Sequence, residues 1–415
     1  MEVSFLNKKI YLFIRTFTAV MAFFTGILFI LCALTAYFTP SRLSVTKQGN
    51  EFQFPLSVKY DSDTAIYAAF DTSEKSPEKS NAKIMLFDSI PVKDLNVNVT
   101  QRKNVILGGM PFGIRIYTDG LVVSGTSPVG NKNPSHDAGI QTGDIILSVN
   151  GTQTDTNEQL LSAVEKSRGN ALEVKATHDG KEYFTEITPV FDESLKKYRI
   201  GLMVRDSCAG IGTMTFIDAE NGTFAGLGHG ICDTASGSLM PLEKGDIVNA
   251  EITSVTKSIC GNPGALVGTF SDTSPKGTIS ANSELGIYGS LYNHDFPQNT
   301  VPVAFKQEVQ RGKAQIFTTV DDQPPKFYDI SIEDISYNNH SPKNMIIKIT
   351  DKNLLEKTGG IVQGMSGSPI IQNNMLVGAV THVFVNDTTE GYAVFAENMI
   401  DFNNTIVQNK LSFAA

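Results

Sequence analysis

Cysteine is scarce, with four among 415 residues. Cys32 falls inside a long apolar run near the N-terminus, so only Cys208, Cys232 and Cys260 lie beyond it. Three thiols cannot all pair with one another, and their spacing matches no zinc-ligand pattern, which excludes a disulfide framework and a structural zinc site. Long lysine or arginine runs and basic helices are also missing, and the net charge is −9 with a pI of about 5.3. An acidic chain without a basic stripe does not track a phosphate backbone, so nucleic acid is not an expected partner. No zinc-protease helix motif, P-loop or dinucleotide fingerprint occurs, which leaves metal hydrolysis, nucleotide turnover and hydride transfer unsupported. Neither a metal nor a cofactor is expected.

Charge is missing in one further place. From Phe17 to Phe38 no charged residue interrupts a run that includes Val20, Phe23, Phe24, Ile27, Phe29 and Leu31, long enough to cross a bilayer as a helix. Lys8, Lys9 and Arg15 precede it and only Arg42 follows closely, so the positive-inside rule places the N-terminus in the cytoplasm and everything from about residue 40 across the membrane. A cleaved signal peptide is the competing reading. The apolar run is longer than a usual signal core and lacks a small-x-small site at its end, which favours an uncleaved anchor over residues 1–40. Leu31 directly before Cys32 also spoils a lipoprotein-type signal.

What remains has ordinary globular usage, 41% hydrophobic and 19% charged, and is long enough for two or three domains. Residues 41–104 form a membrane-proximal region. Alternating apolar positions at Phe52, Phe54, Leu56 and Val58 suit a short strand over about 43–60, Asp71 to Lys83 reads as a polar linker, and Ile84 to Val92 is a small apolar patch. Residues 105–190 are organised differently. The run Ala138-Gly-Ile-Gln-Thr-Gly-Asp144-Ile-Ile-Leu-Ser-Val-Asn-Gly151 strongly resembles the PDZ pattern, in which Gly-Asp introduces a strand ending in Val-Asn-Gly. Leu160, Leu161 and Val164 give the segment Asn157–Ser167 the amphipathic character of the helix that lines a PDZ groove. The loop from Gly109 to Gly113, with Phe112, is expected to present N–H groups to a peptide or protein tail, and the strand continuing through Ile114 to accept it by β-augmentation. From Tyr198 onward many short strands and glycine-rich turns, with little helical periodicity, suit an all-β barrel or double barrel over 195–415.

Within that region stands Thr358-Gly-Gly-Ile-Val-Gln-Gly364-Met-Ser366-Gly-Ser-Pro-Ile370. Gly364 and Gly367 permit a tight turn that pushes the Ser366 hydroxyl outward, and the N–H groups of Gly364 and Ser366 could converge as an oxyanion hole. The pattern Gly-x-Ser-Gly-x-Pro resembles the nucleophile loop of chymotrypsin-type peptidases, whereas Ser368 excludes the Gly-x-Ser-x-Gly elbow of α/β-hydrolases. A serine nucleophile needs a base. His136 and His178 fall in the PDZ-like module, His294 and His340 in polar loops, and His382 on an apolar strand, where it reads as a pocket wall or a satisfied strand residue. His229, in Phe224-Ala-Gly-Leu-Gly-His229-Gly-Ile-Cys232-Asp233, is flanked by glycines that let other segments approach the imidazole. Its position ahead of Ser366 is the order of chymotrypsin-like double barrels. A Cys232/His229 nucleophile is disfavoured, since the Ser366 loop explains more of the chain.

These two glycine-flanked runs, with an N-terminal anchor and a PDZ module between, closely resemble the stage IV sporulation protein B (SpoIVB) peptidase family of endospore-forming bacteria. The resemblance implies a mostly β chain with a chymotrypsin-like double β-barrel, acting as a serine endopeptidase exported into the space between forespore and mother cell. There such a peptidase cleaves a regulatory membrane protein that restrains an intramembrane protease, allowing activation of a late mother-cell sigma factor. It also points to Asp351 as the group orienting His229, with Asp272 the competitor by spacing. Met365 stands where trypsin-like peptidases carry the aspartate that pairs with a new N-terminus, so activation by that ion pair is not available. Two other readings stay open: a non-catalytic anchored PDZ scaffold, and an envelope quality-control protease, in which the PDZ usually follows the protease domain.

Overall fold

The computed structural model describes residues 2–46, 57–60, 79–87, 89–293, 299–337 and 342–414. Phe52, Phe54, Leu56, His294 and His340, all singled out above, lie outside them. The chain divides into two compact units, Met1–Arg102 with Phe305–Glu308 and Ser336–Asn338, and Lys103–Ala304 with Val309–Ile335 and Asn339–Ala415.

The first unit opens with the helix Glu2–Phe38. Its stretch Ile10–Tyr37 has a mean hydropathy of 2.4 and is long and apolar enough to cross a membrane. Phe13, Phe23 and Phe29 are exposed along it, an arrangement that water penalises and hydrocarbon favours. A four-stranded sheet follows in the order Arg42–Val45, Ile90–Val99, Lys79–Leu86, Ser57–Tyr60. Leu43, Val45, Ala82, Ile84, Leu95 and Val97 form its core. The polar stretch ending at Lys83 is therefore strand rather than linker from Lys79 onward, since pairing with Ile90–Val99 satisfies its backbone whatever its side chains.

In the second unit the PDZ-like core gathers Leu121, Val123, Ile146, Leu160, Val164 and Leu172. The helix Asn157–Ser167 is closed at its start by a capping box between Thr156 and Gln159, and Leu160 and Val164 are the residues it buries. This core also draws in Ile200, Leu202 and Val204, so it extends past the boundary expected at residue 190. Asp144, the acid of the Gly-Asp signature, is 1% exposed. It accepts from Gln141 N–H at 2.7 Å and the Tyr183 hydroxyl at 2.5 Å, and meets His178 Nδ1 at 2.6 Å.

The strand Pro111–Thr126 is shared between this core and the C-terminal region. Pairings run from it to Lys244–Thr256, Ala265–Ser283, Gly286–Leu291, Thr223–Gly226 and Leu202–Asp218, and from the last back to Pro111–Thr126. These six strands belong to a twelve-stranded sheet. One closed barrel is present among the described residues, formed by Gly312–Thr318, Lys326–Ile335, Met345–Ile349, Glu390–Phe395, Met375–Val383 and Pro369–Gln372. The mostly β class thus holds. A helix not expected from the sequence, Ala396–Ala414, packs Ala396, Met399 and Ile400 among Val105, Phe216, Tyr288 and Leu376.

Candidate active site

Two turns from different strand systems meet at one cavity of about 490 Å³, lined among others by His229, Gly364, Ser366, Thr381 and His382. The first follows the strand Thr223–Gly226. Leu227 and Gly228 both take positive φ, 66° and 67°, a conformation that strains a branched residue such as leucine and marks a turn held by its surroundings. His229 comes next. Its Nδ1 lies 2.8 Å from the carbonyl oxygen of Gly230. A carbonyl only accepts, so this bond puts the proton on Nδ1 and leaves Nε2 with a free lone pair, the tautomer a general base requires. Behind it Asp233, 1% exposed, ties the following turn by accepting from the N–H groups of Ala235 and Ser236.

The second turn is the Ser366 loop. It leaves the helix Lys352–Thr358 through Gly359, whose φ of 71° closes the helix in the left-handed form. Within it Gln363 N–H donates to Gly264, Met365 to Val362, Gly367 to Val380 and Ser368 to Met365. Among the described residues the N–H groups of Gly364 and Ser366, which flank Met365, have no acceptor, and both residues line the cavity, as does Val362, whose N–H is likewise unspent. Two half-buried donors two residues apart, both on a cavity and both unspent, fit an oxyanion site. The Ser366 hydroxyl donates to the Thr381 carbonyl at 2.7 Å. Met365 is fully buried.

His382, read from the sequence as a pocket wall or a satisfied strand residue, lines this cavity, and what its sequence did not signal is its contact with His229. Its ring centroid lies 4.7 Å from that of His229, tilted by 36°. Burial lowers the pKa of His229 below the usual histidine value, and burial, the neighbouring His229 and Lys343 together push His382 down to about 4. Both rings are uncharged at neutral pH. Unfolding returns each to its ordinary value, so the unfolded chain binds more protons between the two values and stability falls as pH drops below about 6.5. Activity limited by a neutral His229 is expected to show an acid limb with its midpoint below pH 6.5, measured as kcat/KM against pH. A midpoint at or above 7 would contradict a buried neutral base.

The structure does not bring Asp351 to His229. The Asp351 carboxylate caps the helix Lys352–Thr358, accepting from Leu354 N–H at 3.0 Å and from Asp329 N–H at 3.4 Å. Asp272 is committed to Lys276 at 2.7 Å and to Ser274 N–H at 2.8 Å. Cys232 does line the cavity. Burial, with Glu284 beside it, raises its pKa, opposite to what an activated thiolate needs.

The expected peptide groove at Gly109, Phe112, Gly113 and Ile114 is corrected by the pairing. Phe112, Gly113 and Ile114 are bonded on both edges, to Gly212, Ile211 and Gly210 on one side and to Asn249, Val248 and Ile247 on the other. Gly109 N–H is spent on Met214 O at 2.8 Å. A strand with two partners offers no edge to a third.

A PDZ module joined to a β-rich domain with a serine–histidine cavity defines the class, a PDZ-bearing peptidase. Residues 196–400 match the family described as SpoIVB peptidase S55 and residues 88–188 match a PDZ domain; this C-terminal half belongs to that peptidase family. A Lactococcus lactis protein named as a zinc metalloprotease is 31% identical over 103 residues, and the chain spans 24% of that relative's length. Among solved structures, the PDZ domain of an SdrC-like protein from Listeria monocytogenes is 18% identical, covering 21% of this chain and 90% of that one, with a TM-score of 0.19. The inactive form of the Rv3671c protease from M. tuberculosis is 13% identical, covering 47% and 84%, with a TM-score of 0.29. The HtrA-type protease AlgW with a decapeptide is 10% identical, covering 52% and 55%, also at 0.29. At such scores these likenesses carry nothing about the site.

Proposed function

We propose that the chain is a serine endopeptidase in which Ser366 is the nucleophile and His229 the general base, with the N–H groups of Gly364 and Ser366 as the oxyanion hole. The observation that carries this is the meeting of the three residues in one cavity, with those two N–H groups unspent. In the reaction the Ser366 hydroxyl turns from Thr381 O to His229 Nε2, which takes its proton as the oxygen attacks the scissile carbonyl. The carbonyl oxygen, becoming negative, sits against the two donors, and His229 then protonates the leaving amine. The carbonyl of Gly230 holds the tautomer. The strand circuit through Pro111–Thr126 corresponds, in this reading, to the first barrel of a chymotrypsin-like pair.

The family resemblance supports an intercompartmental signalling role in sporulation, with a regulatory membrane protein as substrate in the space between forespore and mother cell. The apolar helix suits anchoring on that side.

Labelling of the purified protein with a fluorophosphonate tests the nucleophile: it is expected at Ser366 and absent in Ser366→Ala. Undiminished labelling of the alanine variant would sink the proposal. The same assay separates two roles for Asp351. As a helix cap it is replaceable by asparagine, with Asp351→Ala costing about 1 kcal/mol of stability. As a triad member its asparagine variant would lose on the order of 10⁴-fold in rate. The hydrogen bonds favour the first outcome.

A further inference from the structure

The strand Leu202–Asp218 serves both functional regions and has one edge open over its first half. From Leu202 to Thr213 one edge pairs with Pro111–Thr126. Among the described residues no strand pairs with the other edge until Met214, where Thr223–Gly226 joins. The PDZ helix Asn157–Ser167 lies beside the start of this open edge and runs antiparallel to it. At one end Asn157 N–H donates to Asp206 at 3.0 Å, and at the other Glu165 meets Lys197 at 3.5 Å. Leu202 and Val204 pack onto the PDZ core, whereas Leu161 on the helix and Met203 on the strand are 57% and 47% exposed. Further along the same strand, Cys208, Gly210 and Ile211 line the cavity that holds Ser366 and His229.

We infer that this edge receives the part of the substrate polypeptide that follows the scissile bond, as an added antiparallel strand running from the cavity to the PDZ helix. This rests on the serine peptidase reading above. An unpaired edge is a row of unmet donors and acceptors that an extended chain completes. The occupant is set by continuity: a polypeptide cut at Ser366 already lies against Gly210 and Ile211, and the open edge begins there. Direction follows too. An antiparallel strand runs opposite to Leu202→Ile211, so the substrate's C-terminal side travels toward Leu202. From Gly210 to Leu202 is about eight residues at roughly 3.3 Å each, or about 26 Å. The PDZ module then selects substrates by an extended segment about eight residues past the cut, with an apolar side chain against Leu161, rather than through the occupied strand at Gly113.

The test uses two probes, a single-residue thiobenzyl ester that cannot reach the edge and reduced, carboxymethylated casein that can. Leu161→Asp is expected to lower the ratio of kcat/KM for casein over the ester about tenfold. Independently of turnover, casein added to the Ser366→Ala protein is expected to slow amide exchange in Leu202–Gly210. An unchanged ratio, or exchange unaltered by casein in that segment, overturns the inference. Ester hydrolysis by Ser366→Ala at the wild-type rate would instead overturn the catalytic reading, while the exchange result would still decide the docking edge.

Discussion

Alanine at position 366 is expected to lower kcat/KM by on the order of 10⁴-fold or more, alanine at 229 by a similar factor, and the double variant to be little worse than either. The reason is that the two groups act as a unit. Without His229 the serine proton has only the Thr381 carbonyl to go to, an acceptor that cannot become a cation and return a proton to the leaving amine. Without Ser366 the base has nothing to activate. The residual rate reports what the Gly364 and Ser366 N–H groups and binding contribute alone. Steady-state hydrolysis of the thiobenzyl ester measures all three variants. Additive losses, with the double variant down by the product of the singles, would mean that the two residues do not share a step. His382→Ala is the informative control, since its ring lines the same cavity and lies against that of His229. A drop there equal to that of His229→Ala would move the base to His382.

Much of this site is readable in the chain. The turn around Ser366 is written in Gly364 and Gly367, whose φ values of 97° and 94° only glycine adopts cheaply. His229 is marked by the glycines around it. The membrane-competent helix and the Gly-Asp signature of the PDZ module are equally local. What was not legible depends on pairing across long stretches of chain. Gly109 to Ile114 has the glycine pattern of a peptide-accepting loop, and nothing local tells that Ile114 will face both Gly210 and Ile247. Likewise no spacing rule places His382 against His229, because the contact is made by two strand systems folding together. Asp351 is a different case. An aspartate ahead of Lys352-Asn-Leu-Leu is an ordinary helix-cap signal, and the carboxylate does cap that helix.

The loop's own stability gives the second large effect. Gly367→Ala is expected to destabilise the protein by on the order of 4 kcal/mol or more, combining left-handed strain with displacement of packed backbone. A methyl group built at Gly367 would stand 2.0 Å from the carbonyl oxygen of Thr213 and 2.4 Å from the amide nitrogen of Leu227. Neither is the end of a flexible side chain. Thr213 lies on the strand that lines the cavity wall and Leu227 leads into His229, so relief of the clash separates the Ser366 loop from the turn that carries the base. Gly364→Ala makes the sharp comparison. Its φ is equally left-handed, yet the nearest atoms are the Leu266 side chain at 3.0 to 3.2 Å, which can move aside. That variant is expected to lose activity, through a shifted Gly364 N–H, with a smaller loss of stability. Thermal melting with the fluorophosphonate labelling rate separates the two. At about 2–4 °C per kcal/mol for a domain of this size, Gly367→Ala should melt on the order of 10 °C lower. Melting within about 2 °C of the parent protein would show that the two backbones do not approach as closely as this packing requires.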